Sequence, residues 1–480
     1  MMPDDAGPRM ASGAALRLRS GLLAFVLIAT IALIFMDAVW LTLAAATALG
    51  VFLMLGWRWF SYGTWVPVLL SMGALIVAVA RGIPAPVLLE AVGRALFLAS
   101  LITLLGTLRS AALRAPEVVD AGRYLTNQPP SRRYLALSLG GHLFGVLINF
   151  GGLVILLDLA KRALGDENTA LLSPELQEAK LRRMSLAIIR GFGLISLWSP
   201  FGFATNVLLI TLPGLSYLDF GPIGFGISFL FIAIGWLLDR VQYHKLRHLA
   251  PKMAPTSRGT WKGAALLLGH VFVLGSAIFA LHAVTRLTFQ ESLVLLVPGY
   301  AVFWSVLSSR TVQGNAWQSI RATLVESWNR MPASAGEVGV FASAGFLSVL
   351  LLAIIPVEGL RTLVAALSLG PVSLVLGLMM SIIAAAFLGV NPIVTSSVLG
   401  AIAVQLALPG VSELAIALAI IAGWTTSIGF SPLITTIILC GTIIDRPAVL
   451  IGPVWNGLYS LIVLLFWAVL LSVLVGNSMI

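Results

Sequence analysis

The sequence predicts an all-α polytopic membrane protein made of two repeats of opposite orientation, each with a re-entrant hairpin and a broken helix. Three observations predict it. Hydrophobic residues make up 59% of the 480 and charged residues 10%, against roughly 25% charged in a soluble domain. Apolar runs long enough to cross a hydrocarbon core of about 30 Å recur from Gly21 to Val475. One stretch is written twice. Ala187-Ile188-Ile189-Arg190-Gly191, followed by Trp198-Ser199-Pro200, returns 232 residues later without a gap as Ala419-Ile420-Ile421-Ala422-Gly423, followed by Phe430-Ser431-Pro432. Each copy is trailed by a Gly-Pro echo, Gly221-Pro222-Ile223 with Gly226 and Gly452-Pro453-Val454 with Gly457.

In chain order, residues 1–20 form a basic tail (Arg9, Arg17, Arg19), placed in the cytoplasm. The first apolar run lacks a small-residue cleavage site and leads straight into another, so it is expected to stay as a helix and not to be removed as a signal peptide. Spans follow at 21–36, 38–56, 64–80 and 86–106, then a polar stretch with Arg109, Arg114, Arg123, Arg132 and Arg133. The next apolar piece, 134–160, holds Asn149 and the pairs Gly140-Gly141 and Gly151-Gly152. Lys161, Arg162, Lys180, Arg182 and Arg183 come after it. With both flanks basic, this piece enters and leaves by the cytoplasmic face. That makes it a hairpin with Asn149 near its tip.

Further spans fall at 187–213, 220–238, 262–282, 289–308 and 337–357, then an apolar stretch at 371–408 and spans at 411–440 and 449–475, for eleven spanning helices in all. The loop from Arg240 to Lys262 carries six Lys/Arg and that from Arg310 to Arg330 carries three, whereas the segments placed outside hold only Arg81, Arg286 and Arg361 of the 29. The net charge of +10 is thus the positive-inside bias of a membrane protein, and no nucleic-acid partner is expected. On this topology the first Ser-Pro span runs outward and the second inward. The second apolar hairpin dips in from outside, which makes the two repeats inverted.

A duplicated apolar segment broken by Ser-Pro points to a transport core, because such breaks free backbone groups at membrane depth where a solute can use them. Pro200 and Pro432 each lack an amide hydrogen and disrupt the helix one turn back. Ser196, Ser199, Thr205 and Asn206 surround the first break; Thr425, Thr426, Ser427, Ser431, Thr435 and Thr436 surround the second. Hydroxyl and carbonyl oxygens suit Na⁺, and half-helix N-termini at the hairpin tips favour an anionic solute. The second tip supplies Asn391, Pro392, Thr395, Ser396 and Ser397, and the first Asn149, Gly151 and Gly152. An isolated proline can also be a mere kink, and Ser or Thr can back-bond to its own helix.

The order of parts resembles the ion transporter superfamily, with the divalent anion:sodium symporters the nearest layout. Those symporters carry Ser-Asn-Thr at each tip. Here the tips read Ile148-Asn149-Phe150-Gly151-Gly152 and Asn391-Pro392-Ile393-Val394-Thr395-Ser396-Ser397, keeping an Asn at each. The resemblance implies an elevator-type secondary transporter. Its mobile domain would be 134–238 and 371–475, and its scaffold 21–106 and 262–357, through which it forms a homodimer. The segment Asp158–Arg183, with Leu171, Leu172 and Leu176 among its charges, is expected as an interfacial arm between them.

Embedded charges are functional candidates. Glu90 and Arg94 share a helix face and are expected to pair. Glu90 and His142 are the proton-coupling candidates, with packing the alternative for the histidine. Asp158, Asp239 and Asp445 are expected at solvated cytoplasmic ends, and Arg190 at the cytoplasmic boundary. The single cysteine, Cys440, excludes an internal disulfide and a Cys-rich metal site. No phosphate-binding Gly-x-x-x-x-Gly-Lys motif is present, so ATP-driven pumping by this chain is not expected.

The reading is therefore a non-enzymatic, ion-coupled transporter of a small, carboxylate-like anion in a bacterial inner membrane. It needs no cofactor, only Na⁺ or H⁺ as coupling ion. The alternatives are a membrane-embedded envelope-biosynthesis enzyme, which the short, nearly uncharged external loops disfavour, and a flippase for a lipid-linked precursor.

Overall fold

The computed structural model describes residues 13–164, 173–244, 260–311 and 315–480. Helices α1 (Gly13–Phe35), α2 (Val39–Gly56), α3 (Tyr62–Ala80) and α4 (Ala85–Arg114) open the chain. A short helix α5 (Pro116–Thr126) leads to α6 (Pro130–Ile148) and α7 (Phe150–Arg162). The first broken span is α8 (Pro174–Gly193), α9 (Ile195–Trp198) and α10 (Phe203–Thr211), followed by α11 (Tyr217–Gln242). Then come α12 (Trp261–Val284), α13 (Phe289–Thr311), α14 (Ala316–Arg330), α15 (Ala335–Ile354) and α16 (Val357–Ala366). The second repeat is α17 (Pro371–Phe387), α18 (Pro392–Leu406), α19 (Glu413–Phe430), α20 (Thr435–Ile444) and α21 (Gly457–Gly476). Among the described residues eleven helical segments are long and apolar enough to cross a membrane, and they coincide with the eleven spans read from the sequence.

The structure adds elements that composition concealed. The polar stretch after α4 contains α5, whose Glu117 is buried and accepts hydrogen bonds from Trp304 Nε1 (2.8 Å) and Ser308 Oγ (2.7 Å) of α13. The supposed loop from Arg310 to Arg330 is largely α14, which a 3₁₀ turn, Met331–Ser334, joins to α15. Both helices interleave charged and polar residues with apolar ones, so a reading based on long apolar runs passes over them. Lys180, Arg182 and Arg183, expected in an interfacial arm, are instead the first turns of α8. Leu171 and Leu172 of that arm lie outside the described residues, as do 245–259 of the basic loop after α11.

The first hairpin is real in its backbone. Asn149 takes φ 53° and ψ −133° and ends α6. The chain then doubles back, so that a Cβ on Gly152 would stand 2.6 Å from the Phe144 carbonyl. Eight residues along a continuous helix would be about 12 Å apart. In the second hairpin, Gly389 turns the chain between α17 and α18 with φ 83°. Before it, α16 meets α17 at a bend of 112°.

Each broken span is clasped by the first arm of its own hairpin, and a glycine allows it. Gly191 on α8 meets the Ser138 carbonyl of α6, and Gly423 on α19 meets the Met379 carbonyl of α17 at 2.9 Å from where a Cβ would stand. These are the last residues of the doubled Ala-Ile-Ile-x-Gly motif. The motif is thus a packing device, since only glycine admits another helix's backbone so closely.

Candidate functional site

Pro200 dictates the first break. Ser199 still donates its amide to Ile195 O (2.9 Å), but the chain leaves the helix there and resumes only at Phe203. Asn206 folds back over the gap, its Nδ2 donating to Pro200 O (3.1 Å) and Gly202 O (2.9 Å). Those contacts employ the amide nitrogen and leave Asn206 Oδ1 buried without a partner. Ser199 Oγ and Thr205 Oγ1 are likewise buried and unpartnered, and all three residues are 0% exposed. A fourth such oxygen is Ser396 Oγ on α18, the helix that packs along α10 with Thr211 beside Gly400.

Buried polar atoms in a folded protein are nearly always paired, and an isolated one costs about 1–3 kcal/mol. Ser199, Thr205 and Asn206 flank one break and Ser396 lies on the hairpin arm packed along α10, and each keeps an uncharged oxygen without a partner. Their lone pairs suit a small hard cation.

The second break is chemically closed. Ser431 Oγ donates to Ala386 O (2.7 Å) and accepts from the Leu433 amide (3.2 Å). Thr426 and Ser427 back-bond to Ala422 O (2.8 Å) and Gly423 O (2.6 Å). Thr425 pairs with Ser196 at 2.9 Å, tying the two broken spans together where they cross. Pro432 is half-buried, Thr436 buried and Thr435 exposed.

At the tips, the two asparagines act as caps. Asn149 Oδ1 accepts from the Phe150 amide (2.8 Å), and Asn391 Oδ1 from the Ile393 amide (3.0 Å). Pro392 opens α18, Thr395 back-bonds to Pro392 O (3.3 Å), and Ser397 is buried. Gly152 packs inside the hairpin, while Gly151 faces Arg109 of α4. A cavity of about 40 Å³ lies there, lined by Asn149, Phe201 and Phe203 with Arg109 and Glu337. Tip and break therefore meet in the first repeat. Arg109 and Glu337 were not among the predicted site residues. Arg109 reads in sequence as one more basic flank, and Glu337 as the start of an apolar span.

Of the embedded charges, Asp239 and Arg190 depart from the expected placement. His142 is buried, with Nδ1 3.1 Å from Gly191 O and Nε2 accepting from Trp198 Nε1 (2.8 Å). Its neutral ring links hairpin to broken helix with both nitrogens engaged. Glu90 and Arg94 stand 3.9 Å apart on an exposed face, while Asp158 pairs with Arg162 (2.7 Å) and Asp445 with Lys161 (2.6 Å). Asp239 is not a solvated end: it is 4% exposed and accepts two bonds from Arg183, of 2.8 and 2.7 Å. Arg190 is not at a boundary either. It is 4% exposed, deep in the packing between the repeats.

No protein-family model and no curated protein matches this chain. Among solved structures, it is similar to the YdaH transporter of Alcanivorax borkumensis, a crystal structure described as having an unusual topology, with a TM-score of 0.53. The match covers 83% of this chain and 89% of that one at 18% identity. The chain shares its fold with that transporter. The likeness is one of architecture.

Proposed function

We propose that this chain is an ion-coupled secondary transporter of a small anionic solute, built on the plan of the ion transporter superfamily and working by an elevator motion. The observation that carries it is the set of buried, unpartnered oxygens, Ser199 Oγ, Thr205 Oγ1, Asn206 Oδ1 and Ser396 Oγ. Three of them flank the first Ser-Pro break, and the fourth lies on the helix packed along α10. Uncharged oxygens favour Na⁺ over H⁺ as coupling ion, because none of these groups titrates near neutral pH. Arg109, beside the first tip, is the nearby positive charge that an anionic cargo would meet.

The packing also supports an inward-facing state. If the positive-inside rule sets the orientation, the start of α3, the end of α4 and the start of α15 are all cytoplasmic. Gly389 of the second tip lies against Tyr62 of α3, Gly151 of the first tip against Arg109 of α4, and Phe203 against Phe341 of α15 at 4.7 Å. On that orientation both tips and the first break pack against scaffold residues near its cytoplasmic side, which supports this reading.

The test is a thermal-unfolding screen of the purified protein against organic and inorganic anions, with and without Na⁺. Sodium-dependent stabilisation by an anion, lost in Ser199→Ala and Asn206→Ala, is expected. Stabilisation that ignores Na⁺, or that survives both substitutions, would falsify the site assignment.

A further inference from the structure

We propose that the core between the two repeats binds a small inorganic monoanion, of halide size, at Arg190. This residue is the one charge by which the doubled motif differs between copies, Arg190 against Ala422. Its Nε donates to Asn456 Oδ1 (2.7 Å), and one terminal nitrogen donates to Tyr134 Oη (3.2 Å) and Gly235 O (3.5 Å). The guanidinium stands 4.6 Å from the centre of the Tyr459 ring. Among the described residues no carboxylate lies within ion-pair distance of it. Asp239, one turn past Gly235 on α11, is taken by both donors of Arg183.

Two donors remain. The other terminal nitrogen of Arg190 and the Tyr459 hydroxyl are buried and have no partner. Both residues line a cavity of about 10 Å³ together with Thr425, Thr426, Asn456 and Ser460. That is room for a single atom-sized guest, too little for an organic solute. A water could take both hydrogen bonds but would leave the guanidinium uncompensated in a protein core within the bilayer, where an unpaired charge is expensive. A monoatomic anion satisfies both the donors and the charge. The site is separate from the oxygens at the first break, and the inference does not rest on the identity of the cargo.

The experiment is thermal unfolding of the purified full chain in sodium gluconate, sodium chloride and sodium bromide at fixed sodium concentration and ionic strength. Chloride and bromide are expected to raise the midpoint saturably by about 2 °C or more over gluconate. Arg190→Gln should abolish that rise. If the glutamine variant does not fold, Tyr459→Phe provides the second arm, with the halide concentration at half-effect raised about tenfold, the loss of one charge-assisted hydrogen bond. Equal midpoints in gluconate and halide mean a water only and overturn the proposal, as does a halide response that Arg190→Gln or Tyr459→Phe leaves unchanged. Because sodium is constant throughout, failure here leaves the sodium reading of the first break standing, and the reverse holds too.

Discussion

The two copies of the Ser-Pro motif share their packing and differ in their chemistry. In both, a glycine at the end of Ala-Ile-Ile-x-Gly lets the first hairpin arm press its backbone onto the broken helix, Gly191 on Ser138 and Gly423 on Met379. Past that point they diverge. Ser431 spends its hydroxyl on Ala386 O, stapling the second break to its hairpin, whereas Ser199 keeps a buried hydroxyl with nothing to bond. The lesson is that the duplicated breaks share a frame, while the serine of one is bonded to its hairpin and the serine of the other keeps a buried hydroxyl without a partner.

The largest expected effect tests the shared frame. Gly191→Val puts a side chain where the Ser138 carbonyl sits and should cost about 3 kcal/mol or more, seen as loss of folded, detergent-stable protein. Gly423→Val should behave alike against the Met379 carbonyl. If one glycine tolerates valine and the other does not, the packing equivalence of the copies fails.

Next comes the divergence of the two serines. Ser431→Ala removes two buried hydrogen bonds and should lower unfolding stability by about 2 kcal/mol. Ser199→Ala removes a hydroxyl that has no partner, so the empty protein should be unchanged or slightly more stable, while the sodium-dependent response disappears. Equal destabilisation by both serine substitutions would show that the first break is as closed as the second.

The tips offer a smaller contrast. Asn149 caps α7 from φ 53°, ψ −133°, a conformation that glycine adopts freely and residues with a side chain avoid, while Asn391 caps α18 from an ordinary extended backbone. Asn149→Gly should therefore be nearly neutral, with the relief of strain offsetting the lost cap, and Asn149→Ala should cost about 1–2 kcal/mol. Asn391→Ala should cost about 1 kcal/mol, and Asn391→Gly only a few tenths. The measurement is the unfolding midpoint of the four variants, and a tolerant alanine at 149 would remove the distinction between the tips.

Much of this protein was legible from residue order. Spans, hairpins and breaks follow from hydropathy, proline and the duplicated motif, because in a bilayer each backbone group must be satisfied locally and so announces itself over 20 residues or fewer. Short amphipathic helices such as α5 and α14 escaped, since a charged face looks like a loop when only apolar runs are counted. The roles of Asp239 and Arg190 escaped as well: a charge near a helix end reads as solvated until its neighbours are known, and Arg183, Asn456 and Tyr134 come to them from distant positions.

By itself the sequence determined that this chain is a helical membrane protein with a repeated, interrupted core, and it named Ser199, Thr205, Asn206 and Ser396 within a longer set of candidates that included Ser431. Only the tertiary structure decided that these four keep free oxygens while Ser431 does not, that Arg109 and Glu337 line the cavity at the first tip, and that Arg190 is buried between the repeats. The reason is physical. Helix formation depends on neighbours along the chain, whereas whether a polar atom is satisfied depends on groups remote in sequence, 266 residues away in the Arg190–Asn456 bond.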